Sequence, residues 1–177
     1  MNSISANLNI MIKAAEKASK ILIRDFGELE KLQVSLKGPS DFVTNSDKKV
    51  EKIIIEELTK SRKKFSILSE EIGEVKNSDK ENCWIIDPID GTTNFLHGIP
   101  HFAISIALKT KEEIVSGLIF DPIKNEMFYA DKNNGAYYNN QRIGVSKKKN
   151  LNECLFATGG KDTTEHNLNI RKSGSAA

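Results

Sequence analysis

The apolar residues change their spacing once along the chain, near residue 65, and this change limits the folds open to it. Before that point apolar side chains recur every three or four residues, which is typical of amphipathic helices. After it, short apolar runs alternate with turns rich in Gly, Pro and Asn, which is typical of strands. Two helices followed by a run of strands predict an α+β layered fold rather than a strictly alternating βαβ fold.

The helical part divides into two segments. The spacing predicts a first helix over residues 5–26, and Gly27 is the expected C-terminal stop. A short extended piece over 32–36 leads into a Gly-Pro turn. The second helix is predicted to begin near Asn45 or Ser46, which places Asp47 in its first turn.

The second part of the chain predicts a sheet. Five strands are expected, at residues 65–68, 84–86, 102–108, 114–120 and 126–130. Asn139-Asn140 is a candidate tight turn before a last extended piece, and Trp84 is expected in the core because it lies inside an apolar run. No internal repeat interrupts this order.

Composition excludes several classes of protein. The chain of 177 residues has 26 basic and 24 acidic residues, and a net charge of +2 gives no reason to expect nucleic acid or a membrane as partner. No stretch approaches the ~18 apolar residues that span a bilayer, so the expected location is the cytoplasm. Cys83 and Cys154 are too few for a disulfide framework and are expected to be reduced thiols.

The most informative segment follows the apolar strand at 84–86. That strand delivers Asp87 and Asp90 to its carboxyl end, three residues apart. Gly91 permits close backbone approach, and the amides beginning at Thr92 can then open a helical turn, which makes a site for an anion. Carboxylates beside such a site would repel phosphate unless a divalent cation stood between them, and hard oxygen ligands suit Mg²⁺.

Each acidic group also has an ordinary structural interpretation. The Asp-x-x-Asp-Gly pattern is equally typical of a strand followed by an Asx-type turn with two solvated aspartates. Glu70 or Glu71, at the end of an apolar strand, is a further candidate metal ligand. Asp47 is either a helix-capping residue or a carboxylate that takes a proton from an attacking water.

A longer pattern narrows these alternatives. Residues 87–95, Asp-Pro-Ile-Asp-Gly-Thr-Thr-Asn-Phe, resemble the signature of the inositol monophosphatase family. Lys37 resembles part of that family's mobile N-terminal loop, and Asp47 and Glu70 fall at the expected places upstream. The likeness continues through residues 97–145. It implies a layered αβαβα sandwich of the sugar-phosphatase type.

The resemblance also implies roles for individual residues. Glu70, Asp87 and the carbonyl of Ile89 match ligands of a first, tighter Mg²⁺ ion, and Asp87 and Asp90 match ligands of a second. Gly91 and Thr92 match positions whose amides bind the phosphate, and Asp90 also matches a contact to a substrate hydroxyl.

The implied catalytic pair is Asp47 and Thr92, which orient and deprotonate the metal-activated water that attacks phosphorus. A turn at Gly174, Ser175 and Ala176 resembles the family's substrate-contacting turn. His97 and His101 are interpreted as structural or substrate-rim residues, because a metal-activated water needs no histidine base.

The chain departs from the family at its C-terminal side. It lacks the Trp-Asp-x-Ala-Ala-Gly motif whose aspartate completes the second metal site. We therefore expect residues 1–145 to form an α+β metal- and phosphate-binding domain and 146–177 to begin a truncated C-terminal α/β domain with incomplete layers. The expected behaviour of this chain alone is binding of one metal with weak or no activity.

The implied function is hydrolysis of inositol monophosphate or a similar polyol phosphate, with a small-molecule phosphomonoester as partner and a homodimer as a possible assembly. Lithium inhibition is implied as well. The alternatives are a fructose-1,6-bisphosphatase, a 3′-phosphonucleotide phosphatase, and a truncated interaction protein without catalysis.

Overall fold

The computed structural model describes residues 4–32 and 39–155, and the chain divides into two compact units at residues 1–144 and 145–177. The first unit contains α1 (Ala6–Leu32), α2 (Pro39–Ser61), β1 (Ser66–Ser69), β2 (Gly73–Val75), β3 (Asn82–Asp90), α3 (Thr92–Leu96), β4 (Ala103–Thr110), β5 (Glu113–Asp121), β6 (Glu126–Asp131), β7 (Gly135–Tyr138) and β8 (Gln141–Ile143). The described part of the second unit contains one short 3₁₀ turn, Leu151–Glu153. The division falls one residue before the predicted boundary, and a second α/β domain stays a prediction.

The strands form one mixed sheet of eight, in the order β2-β1-β3-β4-β5-β6-β7-β8. From β3 onward each strand pairs antiparallel with the next strand along the chain, whereas β1 and β3 are parallel. The predicted α+β class is confirmed. The pairing of β3 with β4 shifts register between Asp87 and Asp90, so a bulge lies at the end of the central strand.

The two long helices pack against each other and against one face of the sheet. The apolar stripes of α1 and α2 supply fully buried side chains such as Met11 and Ile54, and the sheet supplies Trp84 and Ile106. The placement of Trp84 in the core is confirmed. Within the described residues, no helix is both long and apolar enough to cross a membrane.

Both helices are longer than predicted. α1 continues through Gly27 to Leu32, because the buried Leu29 extends the apolar stripe one turn further. A glycine inside a helix costs only about 1 kcal/mol, less than the burial of a leucine returns. The predicted stop at Gly27 is therefore wrong, and of the extended piece at 32–36 Leu32 is helical while the rest lies outside the described residues.

α2 begins at Pro39, six residues before the predicted start at Asn45. Proline is favoured in the first helical turn, since its ring presets the backbone and its missing N–H has no partner there. Asp47 consequently lies in the third turn, and its interpretation as a helix-capping residue is wrong. Asp47 lies within the helix, too far from its first turn to cap it.

The predicted strands are all present with shifted ends. β3 runs through the first aspartate to Asp90, so both aspartates lie in the strand's last four residues. The sequence pattern does not predict two strands, β2 and β7, because they contain few of the aliphatic residues that mark the other strands. The turn at Asn139-Asn140 is confirmed, because both residues have positive φ values, 41° and 69°, as a tight hairpin turn requires.

Candidate active site

The site begins at the carboxyl end of β3. Asp87 is half-buried there, and its Oδ1 is fully buried without a hydrogen-bond donor among the described residues. After the bulge, the side chain of Asp90 is exposed. The chain thus presents one sheltered and one open carboxylate at the same end of the strand.

A glycine turn follows immediately. Gly91 has φ = 96°, and a Cβ at this position would lie 3.1 Å from the carbonyl oxygen of His101 and 3.3 Å from Cα of Phe102. Only glycine fits this close approach without strain. α3 then starts at Thr92, and the first amides of a helix have no acceptor within it, so they are available to an anion.

Thr92 makes a contact that the sequence did not predict. Its hydroxyl donates to the carbonyl oxygen of Ile89 at 2.9 Å, which closes the turn between β3 and α3. The hydroxyl therefore points to the predicted metal-ligand carbonyl rather than to Asp47. The direct link between Thr92 and Asp47 is not seen between these two described residues and stays a prediction.

The hairpin turn between β1 and β2 carries the next two carboxylates. Glu70 and Glu71 are exposed and follow directly after Ser69, which pairs with Gly73 across the hairpin. The amide of Glu70 donates to the carbonyl oxygen of Ile86 at 3.2 Å, which ties this turn to β3. The parallel pairing of β1 with β3 is what brings the turn beside Asp87.

The fifth carboxylate comes from the helix layer. Asp47 is only 6% exposed, and its pKa is raised from 3.8 to about 7, first by burial and then by repulsion from Glu71, Glu70 and other nearby carboxylates. Burial also raises the pKa of Asp87 to about 7, and the charges of Glu70 and Asp90 add to this. Carboxyl groups perturbed in this way are characteristic of sites that bind cations or move protons.

The oxygen atoms of these carboxylates are the type of ligand that a hard divalent cation prefers. The buried, unpartnered Oδ1 of Asp87 and the mutual repulsion of the carboxylates are both relieved by a positive ion. Within the described ranges, however, no three Asp, Glu, His or Cys side chains stand close enough together to hold a metal ion. Side-chain rotation of the exposed carboxylates is required before they converge.

Beside Asp90 lies a cavity of about 330 Å³ whose polar wall includes Asn94, His101 and Lys124. The Nζ atom of Lys124 is 2.8 Å from the Asp121 carboxylate and 3.2 Å from Nδ1 of His101. His101 thus lies at the rim of the site and lines the cavity beside Asp90. The cavity is large enough for part of a small polar substrate.

Four predicted residues, Lys37, Gly174, Ser175 and Ala176, lie outside the described residues. Sequence reasoning missed another residue, the buried Glu51. It stands one helical turn after Asp47, on the same face of α2, and this i, i+4 spacing was the signal that could have found it.

Comparison with known proteins identifies the family of the chain. The sequence model of the inositol monophosphatase family matches residues 5–174. The chain belongs to the inositol monophosphatase family. An inositol-1-monophosphatase of Rhizobium meliloti (strain 1021) is 51% identical over 155 residues, which cover 88% of this chain and 58% of the relative.

Other members of the family carry different names. A Nus factor SuhB of Pasteurella multocida (strain Pm70) is 42% identical over 86% of this chain and 57% of the relative. The crystal structure of the extragenic suppressor protein suhB from Bartonella henselae superposes with a TM-score of 0.75 at 46% identity, covering 85% of this chain and 58% of that one. The chain therefore spans a little under three-fifths of the length of these family members, and their fold is the fold described above.

Proposed function

We propose that the protein is a Mg²⁺-dependent phosphomonoesterase that hydrolyses inositol monophosphate or a similar polyol phosphate. The observation that carries this proposal is the end of β3, where Asp87 and Asp90 stand directly before the Gly91-Thr92 turn. Family membership and relatives named inositol-1-monophosphatase support it. Because the chain covers only 58% of such a relative, the activity of the whole protein is part of the proposal.

The cation ligands we assign are Glu70, Asp87 and the carbonyl of Ile89 for a first ion, with Asp87 and Asp90 for a second. When bound, Mg²⁺ neutralises these carboxylates and stabilises the charge that develops on the phosphoryl and leaving-group oxygens. Asp87, which is half-buried and close enough to Glu70 and Asp90 to feel their charges, would belong to both ligand sets. The relaxation of the two exposed side chains costs little, since neither is held by packing.

The chain's own base is Asp47. Burial, the first cause of its raised pKa, remains when a cation neutralises the neighbouring carboxylates, so this carboxyl group accepts a proton from an attacking water more readily than an ordinary aspartate does. The Thr92 hydroxyl donates its hydrogen bond to the carbonyl oxygen of Ile89, so the hydroxyl oxygen is left to accept a hydrogen bond from the same water. Asp47 and Thr92 therefore act through the water and need no direct contact.

The phosphate is held by backbone amides. Gly91 precedes α3 and Thr92 is its first residue, and the amides of both donate to the phosphate oxygens, as helix N-termini do in other phosphate sites. Asp90, which faces the neighbouring cavity, accepts a hydrogen bond from a substrate hydroxyl. The cavity beside it then receives the polyol.

The direct test is Mg²⁺-dependent release of phosphate from inositol 1-phosphate. From this chain alone we expect at most weak release, which falls with lithium and is lost in Asp87→Asn, because that substitution removes a shared ligand. Glu112→Gln is the matched control, since this exposed carboxylate belongs to a surface ion pair away from the site. Calorimetric titration with Mg²⁺ runs beside the assay, and absence of both release and Mg²⁺ binding would refute the proposal.

Substrate choice needs a panel of phosphate esters. Inositol 1-phosphate, fructose 1,6-bisphosphate and a 3′-phosphonucleotide separate the three members of this chemistry that the resemblance leaves open. We expect the ratio of kcat/KM values to favour the inositol ester. A preference for either of the others would change the substrate class and leave the site assignments in place.

The second candidate function is interaction without catalysis. It is favoured by a relative at 42% identity that carries the name Nus factor SuhB. If this function applies, binding to a partner protein should be unchanged in Asp87→Asn while turnover is absent from both forms. Catalysis that depends on Asp87 would refute this candidate as the sole function.

Location and assembly belong to the same proposal. We expect a cytoplasmic homodimer, which fractionation and sedimentation analysis of the purified chain would test. A monomer at all concentrations would remove the dimer from the proposal without affecting the site.

A further inference from the structure

The buried carboxylate of Glu51 has no part in the chemistry assigned above. It lies on α2 one turn after Asp47 and is 2% exposed. Among the described residues no Lys or Arg forms an ion pair with it, although an unpaired buried carboxylate is costly. Its Oε1 accepts a hydrogen bond from the backbone N–H of Ile72 at 3.2 Å.

Ile72 belongs to the hairpin turn that also carries Glu70 and Glu71. Beyond its hairpin pairing, this turn is attached by backbone amides at two points: Glu70 to β3, through the carbonyl of Ile86, and Ile72 to α2, through Glu51. These two bonds hold opposite ends of the three-residue turn. Together they fix the backbone of the turn, from which the side chains of Glu70 and Glu71 project.

Side-chain packing does not provide the second attachment. The side chain of Ile72 is 50% exposed, and a cavity of about 510 Å³ lies between α2 and the turn, lined by Lys48, Lys52 and Ile55 among others. A loosely packed turn depends on its hydrogen bonds for position. The bond to Glu51 is therefore the contact that holds this side of the turn against the helix.

We propose that Glu51 is a positioning residue that ties the Glu70-Glu71 turn to α2 and so directs Glu70 toward Asp87 for cation binding. The inference rests on the proposed function in giving Glu70 the task of a ligand. Outer residues that orient metal ligands typically change metal affinity by about 10- to 100-fold when they are removed. Glu51 has this relation to Glu70 through the backbone of the turn.

A buried carboxylate away from the turn is available for comparison. Asp25 is 1% exposed between α1 and α2, where it accepts hydrogen bonds from Ser46 at 2.8 Å and from its neighbour Arg24. It joins the two helices and has no described contact with the turn. Asp25→Asn is thus a matched control for loss of a buried charge.

The experiment compares three substitutions at Glu51. Glu51→Gln keeps an oxygen that accepts the Ile72 amide, Glu51→Ala removes the acceptor, and Glu51→Leu removes it while filling the space. Two readouts are used: Mg²⁺ affinity by calorimetry, and hydrogen exchange of the Ile72 amide by NMR without metal. We expect the Ala and Leu variants to bind Mg²⁺ about 10- to 100-fold more weakly and to exchange faster at Ile72, and Gln to restore both.

Several outcomes would overturn the inference. Wild-type affinity in the Ala and Leu variants would show that the turn needs no tether, and equal loss in Gln would show that the charge matters instead of the bond. Equal weakening by Asp25→Asn would reduce the effect to general destabilisation. If the wild-type chain binds no Mg²⁺, the proposed function fails, and unchanged exchange of the Ile72 amide in Glu51→Ala would separately refute the tether.

Discussion

Replacing Asp47 by Asn should stabilise the metal-free protein at neutral and alkaline pH. The carboxylate is buried among four other acidic side chains, and the amide of Asn has nearly the same shape without the charge. The substitution therefore isolates the electrostatic cost of keeping Asp47 ionised in the folded protein. A functional group that opposes folding is common where a site must later bind a cation.

The size of the effect follows from the pKa. In the folded protein the pKa of Asp47 is raised from 3.8 to about 7, so the folded state holds this proton more tightly than the unfolded chain does. Stability is therefore lost as pH rises through this interval and stays low above it. At about 1.4 kcal/mol for each tenfold change in the ionisation constant, ionised Asp47 lowers the free energy of unfolding by about 4 kcal/mol above pH 7.

The measurement is urea unfolding of wild type and Asp47→Asn in EDTA at pH 4 and at pH 8. We expect the variant to be more stable by about 2–4 kcal/mol at pH 8, with a difference of less than about 1 kcal/mol at pH 4. Saturating Mg²⁺ should reduce the difference at pH 8, because the cation relieves the repulsion in wild type. Activity should fall in the variant, since the proposed general base is lost.

Asp79→Asn provides a control of opposite sign. Hydrogen bonds from Asn82 and from the Glu81 amide lower the pKa of this carboxyl group, so it stabilises the fold above its ordinary pKa. Its replacement should destabilise the protein at pH 8. Equal stability of Asp47→Asn and wild type at both pH values, or a less stable variant at pH 8, would contradict a raised pKa at Asp47.

Three further substitutions test the packing around the site. Gly91→Ala should lower the free energy of unfolding by about 2–4 kcal/mol in urea, because a side chain at positive φ is strained and its Cβ would lie 3.1 Å from the carbonyl oxygen of His101. Gly27→Ala, at an open helical position with nothing within 4 Å, should instead stabilise by up to about 1 kcal/mol, and destabilisation there would show that α1 does not continue through this residue. Asp131 accepts two hydrogen bonds, from the Ser116 hydroxyl and from the backbone N–H of Ser5 just before α1. Asp131→Asn replaces one of the two accepting oxygens with an NH₂ group, which cannot accept, so it should lower the free energy of unfolding by about 1–3 kcal/mol in thermal or urea unfolding. No loss would mean that these bonds are not formed.

The end of β3 could be predicted from the sequence because its signals are local. An apolar strand, a proline and a glycine at fixed spacing place Asp87, Asp90 and the Gly91 turn without reference to the rest of the chain. The φ value of Gly91 and the start of α3 at Thr92 agree with that prediction. The ligand roles themselves remain predictions.

Features that depend on distant contacts could not be predicted. Glu51 acquires a partner only because the β1–β2 turn folds back onto α2, 21 positions along the chain. The end of α1 was missed for a related reason: the burial of Leu29 in the tertiary structure outweighs the local preference of glycine to end a helix. The true start of α2 at Pro39 shows the opposite error, since a loop signal in the sequence turned out to be a helix signal.

The acidic site lies across the junction of the two layers, and this affects the order of folding. From β3 to β8 each strand pairs with its neighbour in sequence, so the sheet can grow by successive hairpins. Asp47 meets Asp87 only when α2 docks on this sheet, which brings together segments 40 positions apart. The carboxylates therefore repel one another most strongly once the layers have closed.

A cation that binds this site offsets a repulsion that includes Asp47 only in the closed form. It is expected to slow the separation of the helix pair from the sheet while leaving the rate of hairpin formation unchanged. Added Mg²⁺ should accordingly lower the unfolding rates in a chevron plot and leave the refolding rates unchanged. The proposed metal site would thus make the kinetic lifetime of the folded protein depend on the metal concentration around it.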